Sequence, residues 1–265
     1  MMKTTLLARL AILSSLIHLS PVLAQACTRH SPPHTVALLE LYTSEGCSSC
    51  PPADRVLGNL RAGAGAGTVA PGADRLVPLA LHVDYWDYIG WKDMFSSRVY
   101  TDRQRWLSKQ AGSRTIYTPE MFIEGREMHN WADGIPAAVR RINSRPARAD
   151  IGIALGKLGS EGLPVEVTAT AAQNGRLFVA LYENGLVSQI NAGENKGVTL
   201  HHDYVVRQWI GPIALTGRSN VLRSDLTRTL VPPAGALASN LGVAAFVETD
   251  QGDILQALSL PVCGA

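Results

Sequence analysis

The first half of the chain alternates short apolar runs with amphipathic stretches. The apolar runs at residues 35–42 and 75–84 are too short for most helices and show almost no polar alternation. They therefore predict central strands that are buried on both faces of a sheet. The stretches between and after them place apolar residues on one helical face, and they predict helices from Pro51 and over residues 97–110 and 135–144.

The second half has a different pattern, in which short strand-like runs are separated by frequent turns from residue 150 onward. Asn174-Gly175 and Asn184-Gly185 each lie between two such runs, and an Asn-Gly pair in this position is the strongest short signal for a β-hairpin. Seven or eight strands of this kind predict an antiparallel β-sandwich. The runs lie at residues 151–158, 163–171, 176–182, 203–210, 221–230, 241–249 and 254–260.

The beginning of the chain has the pattern of an export signal. Lys3 and Arg9 flank an apolar stretch, and small residues follow it. Residues 1–26 therefore predict a cleaved signal peptide and a mature protein in the periplasm or outside the cell. Cys27 directly after this segment leaves lipid attachment as an alternative, which the alanine at position 24 disfavours. No later stretch is apolar enough to predict a transmembrane segment in the mature chain.

Two domains are predicted to follow the signal. The first covers residues 27–148 and contains an aromatic and helical insertion around 84–112, and the β-sandwich domain covers 149–265. The two basic residues of the signal account for the whole formal net charge of +2, so the mature chain is neutral. No basic run or stripe is present, and we therefore expect neither a nucleic-acid partner nor an anionic lipid surface.

Cys47-Ser48-Ser49-Cys50 lies between the first predicted strand and the first predicted helix. Proline is tolerated only in the first turn of a helix, so the helix is expected to begin at Pro51 with Cys50 as its N-cap. Cys47 then lies one turn outside the helix. It is predicted to be the more exposed sulfur and the attacking nucleophile of a redox pair, with Cys50 as the resolving thiol.

The chain has four cysteines, Cys27, Cys47, Cys50 and Cys263. Pairing is the default in an exported protein. Cys27 and Cys263 bracket the mature chain, and the termini of compact domains often lie close together. We therefore predict a structural Cys27–Cys263 disulfide and a local Cys47–Cys50 pair. The alternative is that both pairs are structural, although a disulfide that closes so small a loop adds little chain-entropy stabilisation.

A strand, a Cys-x-x-Cys pair and a helix in this order open a thioredoxin-like unit. Thr118-Pro119 lies directly before a predicted strand and supports a thioredoxin-like unit. Thioredoxin-like proteins place a cis proline against the disulfide, and cis peptide bonds are common only before proline. The predicted fold class is an α/β thioredoxin-like domain, with a central β-sheet and flanking helices, followed by a C-terminal β-sandwich domain. Pro119 is expected to face two sulfurs that are reachable at the rim of the sheet.

Further residues near these segments are candidates for a substrate groove. Thr118 precedes the proline, and Glu45 lies two residues before Cys47 as a candidate proton shuttle, with a solvated loop carboxylate as the alternative. Asp84 and Trp86 follow the second strand, at the carboxyl end of the sheet where α/β folds bind ligands. The alternative for this segment is an aromatic mini-core that positions the inserted helix.

His201 and His202 suggest a metal site, but adjacent residues of a strand point to opposite faces and cannot easily bind one ion. We expect polar contacts at a strand edge or between domains instead. A copper(I) site at Cys47 and Cys50 suits soft thiolates, although no third ligand is identifiable. The sequence predicts no bound metal and no cofactor, and it contains no phosphate-binding glycine loop.

Residues 41–54, 82–93 and 117–119 resemble the DUF1223 family, and the similarity includes residues 181–185 and 193–195. These are secreted bacterial proteins of unknown function with a thioredoxin-like fold. The resemblance covers most of the mature chain. It implies a thioredoxin-like fold and export, and it implies no particular activity.

The predicted function is thiol–disulfide exchange by an exported protein, through Cys47, Cys50 and Pro119. The predicted partners are protein or small-molecule thiols and disulfides. A non-enzymatic periplasmic binding or assembly factor with structural disulfides is the alternative, and a copper(I)-handling protein is another. The direction of exchange and the oligomeric state do not follow from the sequence.

Overall fold

The computed structural model describes residues 27–62, 74–218 and 221–263. The predicted signal peptide lies outside the described residues. Strands dominate the described part of the chain, which also contains three α-helices: α1 (Pro51–Ala62), α2 (Arg98–Gln110) and α3 (Trp131–Asn143). The strands in chain order are β1 (Cys27–His30), β2 (Ala37–Thr43), β3 (Leu76–His82), β4 (Glu120–Ile123), β5 (Arg126–Glu127), β6 (Ala149–Leu155), β7 (Leu163–Ala171), β8 (Arg176–Glu183), β9 (Leu186–Gln189), β10 (Thr199–His202), β11 (Val205–Ala214), β12 (Thr216–Arg218), β13 (Val221–Leu230), β14 (Leu241–Glu248) and β15 (Ile254–Pro261).

Strands from both halves of the chain join in one sheet of eight strands, in the order β15-β14-β8-β11-β3-β2-β4-β5. β2 and β3 are parallel and every residue of both is buried, as predicted for central strands. β11 pairs in parallel with β3 through Val205 and Ala80, and the N–H of Ala80 donates to the carbonyl of Tyr204 at 2.8 Å. The second half of the chain therefore extends the sheet of the first half. The predicted domain boundary at residue 148 stays a prediction.

The other large sheet has five antiparallel strands in the order β1-β6-β7-β13-β12. β7 alternates buried and less buried residues along its length, so only one of its faces is fully covered. That face packs against β8, β14 and β15 of the eight-stranded sheet, and Val167, Leu181 and Leu258 belong to the same buried apolar cluster. A second apolar cluster surrounds β2 and β3 and includes residues of all three described helices.

The helix predictions are confirmed with small shifts in their bounds. α1 begins at Pro51. α2 begins directly after Ser97, whose side chain accepts a hydrogen bond from the N–H of Val99 at 3.3 Å. α3 begins at Trp131, one turn earlier than predicted. In the second half, the strands predicted at 163–171 and 221–230 are β7 and β13, and they pair antiparallel from Leu222 to Leu230 of β13, along the whole of β7.

The two hairpins predicted at the Asn-Gly pairs are wrong. β7 and β8, on either side of Asn174-Gly175, belong to different sheets, and β8 and β9, on either side of Asn184-Gly185, do not pair. Nearly all residues of β8 are buried, so this strand needs neighbours in both directions and cover on both faces. It obtains them from β11 and β14 of the eight-stranded sheet. Long-range burial thus decides the pairing, whatever the turn favours locally.

A buried ionic network connects the two halves. Arg103 of α2 lies between Glu40 of β2 and Glu248 of β14, and the three side chains are 6%, 1% and 0% exposed. The guanidinium also lies 5.0 Å from the ring centroid of Phe246. Each charge has a partner of opposite sign, which is the condition under which charges are tolerated in a core.

Candidate functional site

Cys47 and Cys50 form a disulfide in the turn between β2 and α1, with their Cα atoms 5.5 Å apart. Cys50 is the N-cap of α1, as predicted, because its carbonyl accepts hydrogen bonds from the N–H of Ala53 at 2.9 Å and of Asp54 at 3.2 Å. Cys47 lies just outside the helix, and its carbonyl accepts from the N–H of Cys50 at 3.2 Å. The pair is therefore held at the helix start, where the dipole stabilises negative charge.

Thr118 and Pro119 lie beside this disulfide. Their peptide bond is cis, as predicted. The carbonyl oxygen of Thr118 is 3.7 Å from Cys47 Sγ, and the hydroxyl of Ser49 is 3.3 Å from the same sulfur. The indole Nε1 of Trp86 donates to the hydroxyl of Thr118 at 2.7 Å. The structure thus brings Cys47, Cys50, Thr118, Pro119 and Trp86 together.

The prediction that Cys47 is the more exposed sulfur, reachable at the rim of the sheet, is wrong. Cys47 and Cys50 are both 0% exposed, whereas Ser48 and Ser49 between them are exposed. The covering side chains come from segments that the local pattern around the cysteines does not reveal. A Cβ on Gly46 would lie 3.2 Å from the side chains of both Trp86 and Ile89, so the inserted segment packs directly against this turn.

The connection between β9 and β10, residues 191–198, lies against the same turn. The side-chain amide of Asn195 donates to the carbonyl of Glu45 at 2.8 Å and to that of Cys47 at 3.0 Å. One carboxylate oxygen of Glu194 accepts from the N–H of Ser48 at 3.1 Å and from its hydroxyl at 2.7 Å. The second half of the chain therefore supplies part of the packing around the cysteine turn.

Buried polar side chains form a cluster next to the turn. The alternative for Glu45, a solvated loop carboxylate, is wrong, because Glu45 is 0% exposed and accepts from Nε1 of Trp91 at 2.8 Å. Nδ1 of His82 lies 2.7 Å from a carboxylate oxygen of Asp93, which also accepts from the N–H of Glu45 at 2.9 Å. Nε2 of His202 lies 3.4 Å from Glu45 Oε1. Despite this proximity, Glu45 Oε1 and both ring nitrogens of His202 form no hydrogen bond with any of the described residues.

Burial and the neighbouring charges shift the pKa values of the ionisable groups in and beside this cluster. Burial alone would lower the pKa of His82, but the carboxylate of Asp93 raises it above its usual value. Burial alone would raise the pKa of Asp93, but His82 lowers it below its usual value. Burial raises the pKa of Asp54, which lies in the first turn of α1 and accepts from the hydroxyl of Thr43. His82 and Asp93 therefore form an ion pair under mildly acidic conditions.

The polar contacts of the Asp84 side chain are with α2. Its carboxylate accepts a hydrogen bond from the hydroxyl of Thr101 at 2.6 Å, and its N–H donates to the same hydroxyl at 3.1 Å. Asp84 thus attaches the inserted segment to α2, which favours the structural alternative for this residue. Trp86 and Trp91 are half-buried and contact Thr118 and Glu45.

The predicted Cys27–Cys263 disulfide is present, with the Cα atoms 5.8 Å apart and the two cysteines 236 positions apart in sequence. It joins the first and the last of the described residues. In the part of the chain that the structure describes, no helix is long and apolar enough to cross a bilayer.

Histidine, cysteine, aspartate and glutamate do not come together as a metal site within residues 27–62, 74–218 and 221–263. His201 is exposed and His202 is buried, which agrees with their expected position on opposite faces of a strand. His202 packs edge-on against His82 with the ring centroids 5.0 Å apart. His202 therefore joins the two halves by ring packing and by its 3.4 Å approach to Glu45, without the hydrogen bonds expected of a polar contact.

Sequence reasoning missed Asp93, Glu194 and Asn195 as neighbours of the disulfide. Glu194 and Asn195 lie about 150 positions from Glu45 in sequence, so no local spacing connects them. The available signal was the polar Gly193-Glu194-Asn195 segment within an otherwise strand-rich region. Asp93 belongs to the aromatic insertion, and no motif or spacing in that segment distinguishes it from the other polar residues there.

Two solved structures are similar to this chain. An X-ray structure of an Agrobacterium tumefaciens protein, from a structural genomics consortium, has 24% identity and a TM-score of 0.60, and the similarity covers 89% of this chain and 98% of that one. HBP35 of Porphyromonas gingivalis has 17% identity and a TM-score of 0.62, over 89% of this chain and 77% of that one. At these identities the similarity concerns the fold alone.

No curated protein matches the chain. The sequence model of DUF1223, described as a protein of unknown function, matches residues 38–248. That range contains the Cys47–Cys50 disulfide, Thr118, Pro119 and the covering residues Glu194 and Asn195. The chain belongs to the DUF1223 family.

Proposed function

We propose that this chain is an exported thioredoxin-like protein that exchanges disulfides through Cys47 and Cys50. The observation that carries the proposal is the position of this disulfide at the start of α1, with the Thr118 carbonyl 3.7 Å from Cys47 Sγ. Thiolate leaving groups need stabilisation, and the dipole at the start of a helix provides it.

The arrangement of the first half supports the thioredoxin-like assignment. β2, the cysteine turn, α1 and the parallel strand β3 come first, and Pro119, the antiparallel strands β4 and β5, and α3 follow after α2. The packing of the five-stranded sheet against β8, β14 and β15 supports the β-sandwich assignment for the second half. The Cys27–Cys263 disulfide supports export, because such bonds persist in oxidising compartments.

The exchange runs through two displacement steps. In the direction that reduces this protein, a substrate thiolate attacks Cys47 Sγ, the Cys47–Cys50 bond breaks, and Cys50 leaves as a thiolate. A second thiolate of the substrate then attacks the substrate sulfur of the mixed disulfide and releases Cys47. Two electrons pass from the substrate dithiol to the pair. In the opposite direction, Cys47 attacks a substrate disulfide and Cys50 resolves the mixed disulfide.

The described conformation is closed to this chemistry. Both cysteines are 0% exposed, and a thiolate must approach along the disulfide axis to displace the leaving sulfur. Exchange therefore requires movement of the residues that cover the turn. The residues in contact with the turn include Trp86 and Ile89 beside Gly46, and Asn195 on the carbonyl of Cys47, and we expect the movement among these.

The burial of the sulfurs favours a second candidate. In this alternative the chain is a binding or assembly factor, and Cys47–Cys50 is a structural disulfide that takes part in no exchange. Catalytic disulfides are accessible to their partners, whereas structural ones are protected. The two candidates differ in whether Cys47 ever forms a bond with an external sulfur.

A trapping experiment separates them. Cys50→Ser removes the resolving thiol, so Cys47 is expected to retain a mixed disulfide with a disulfide-bonded peptide, detectable by mass spectrometry of the intact protein. Cys47→Ser is the matched control and should form no such adduct. Unmodified protein should transfer electrons from dithiothreitol to the same peptide. If Cys50→Ser forms no adduct and the unmodified protein transfers no electrons, Cys47–Cys50 is a structural disulfide and the exchange function is contradicted.

A further inference from the structure

β9 and β10 form a separate two-stranded sheet that pairs with no other described strand. The base of this hairpin is firmly held. Leu200 and His202 are buried, and Asp203 directly after β10 accepts hydrogen bonds from Arg61 of α1 at 2.8 Å and from the N–H of Gly185 at 2.9 Å. The base therefore positions the connecting residues 191–198 over the cysteine turn.

The connection itself is held to the turn by few polar contacts. Asn195 is buried and donates to the carbonyls of Glu45 and Cys47. Glu194 is exposed and accepts two hydrogen bonds from Ser48. Gly193 and Gly197, on either side, have φ values of +73° and +88°, which glycine adopts without the strain of other residues. Gly193 also packs against the side chains of Trp91 and Ile89. Because β9 and β10 pair only with each other, movement of this connection would break no strand pairing in either large sheet.

We propose that residues 191–198 are a lid over the Cys47–Cys50 disulfide, and that Glu194 and Asn195 determine which thiols reach it. The inference rests on the proposed exchange function. When Asn195 and Glu194 leave the turn, the side of Cys47 that faces the second half of the chain becomes open to an external sulfur. Residues of the second half of the chain then determine whether an external thiol can reach the disulfide of the first half.

The rate at which dithiothreitol reduces each disulfide of the folded protein tests the lid. Attack on a protected bond follows the population of the open form when closing is fast, and two hydrogen bonds of ordinary strength correspond to roughly a 5- to 100-fold change in that population. We expect Asn195→Ala to accelerate reduction of Cys47–Cys50 by about tenfold or more, and Glu194→Gln by a smaller factor. Lys196→Gln, at an exposed position of the same segment, is the matched control.

The Cys27–Cys263 disulfide is the internal reference and should keep its rate in all three variants. Equal acceleration of both disulfides, or no difference between Asn195→Ala and Lys196→Gln, would overturn the lid. If Asn195→Ala does not fold, hydrogen exchange of the unmodified protein gives the same test. The N–H groups of Ile190 and Gly197, which bond within the hairpin, should then exchange faster than those of β8 and β14, and equal protection contradicts the proposal.

The outcome is separable from that of the proposed function. If Asn195→Ala is reduced faster but Cys50→Ser forms no mixed disulfide, the lid is supported and the exchange function is contradicted. If Cys50→Ser forms a mixed disulfide but the reduction rates of the lid variants are unchanged, the exchange function is supported and the lid is contradicted.

Discussion

The side-chain amide of Asn195 donates hydrogen bonds to the carbonyls of two residues, Glu45 and Cys47, at 2.8 and 3.0 Å. A single residue of the second half thus holds the backbone on both sides of Gly46, immediately before the disulfide. This contact connects the strand-rich half of the chain to the turn that carries the cysteines.

Asn195→Ala is expected to lower the free energy of unfolding by about 1–3 kcal/mol, because two carbonyls lose their donor in a buried position. Lys196→Ala, one position further on the same segment and exposed, should change it by less than about 0.5 kcal/mol. Urea denaturation of both variants and the unmodified protein measures the difference. Equal values for the two variants would show that the amide contributes no net stabilisation.

Asp93→Asn is expected to change the pH dependence of stability. His82 has a raised pKa, so its contribution is complete below about pH 6.5 and is lost as the pH rises through the folded-state pKa. Asp93 has a lowered pKa, so its contribution is present above about pH 3.9 and is lost as the pH falls. The loss of stability in Asp93→Asn should therefore be largest between these two limits. Denaturation at several pH values measures it, and a loss that stays constant from pH 4 to 9 contradicts the ion pair.

Arg103→Met is expected to destabilise the protein by roughly 3–5 kcal/mol, because Glu40 then remains buried without its cation. Glu248 keeps a contact with Arg176 at 2.9 Å. Arg105→Met removes an exposed arginine of the same helix that pairs with Asp102, and it should cost less than about 1 kcal/mol. Thermal or chemical unfolding compares the two variants, and similar losses would mean that the buried network adds no specific stabilisation.

Glu120→Gln is expected to flatten the stability profile between pH 4 and 7. Burial raises the pKa of Glu120 to about 7, so the folded state binds more protons than the unfolded state, and stability falls as the pH rises from about 4.3 to 7. A glutamine does not ionise and removes this dependence. The exposed Glu161 offers the control Glu161→Gln, which should leave the slope as it is. An unchanged slope in Glu120→Gln would contradict the raised pKa.

Local features of the sequence predicted the elements that short-range forces decide. Pro51 favours the start of α1 because proline is accommodated most easily in the first helical turn, and the predominantly apolar sequences of β2 and β3 predicted burial on both faces. The cysteine pairing followed from the predicted export and from the positions of Cys27 and Cys263 near the ends of the predicted mature chain.

Contacts between distant segments were not predictable in this way. The exposure of Cys47 was wrongly predicted because its cover includes Asn195, 148 positions away. Glu45 is buried because Trp91 and His202 approach it from two other segments. Neither approach leaves a periodic or spacing signal near residue 45. The pairing of β8 was also decided by burial over long range, against the local preference of Asn174-Gly175.

The reduction potential of the Cys47–Cys50 disulfide tests the central claim most directly. It is measured by equilibrating the protein with defined ratios of reduced and oxidised dithiothreitol or glutathione and quantifying the reduced pair by alkylation and peptide mass spectrometry. Thiol–disulfide exchange predicts a value between about −120 and −270 mV, the range of catalytic pairs. A value well below about −300 mV, where structural disulfides lie, would contradict it.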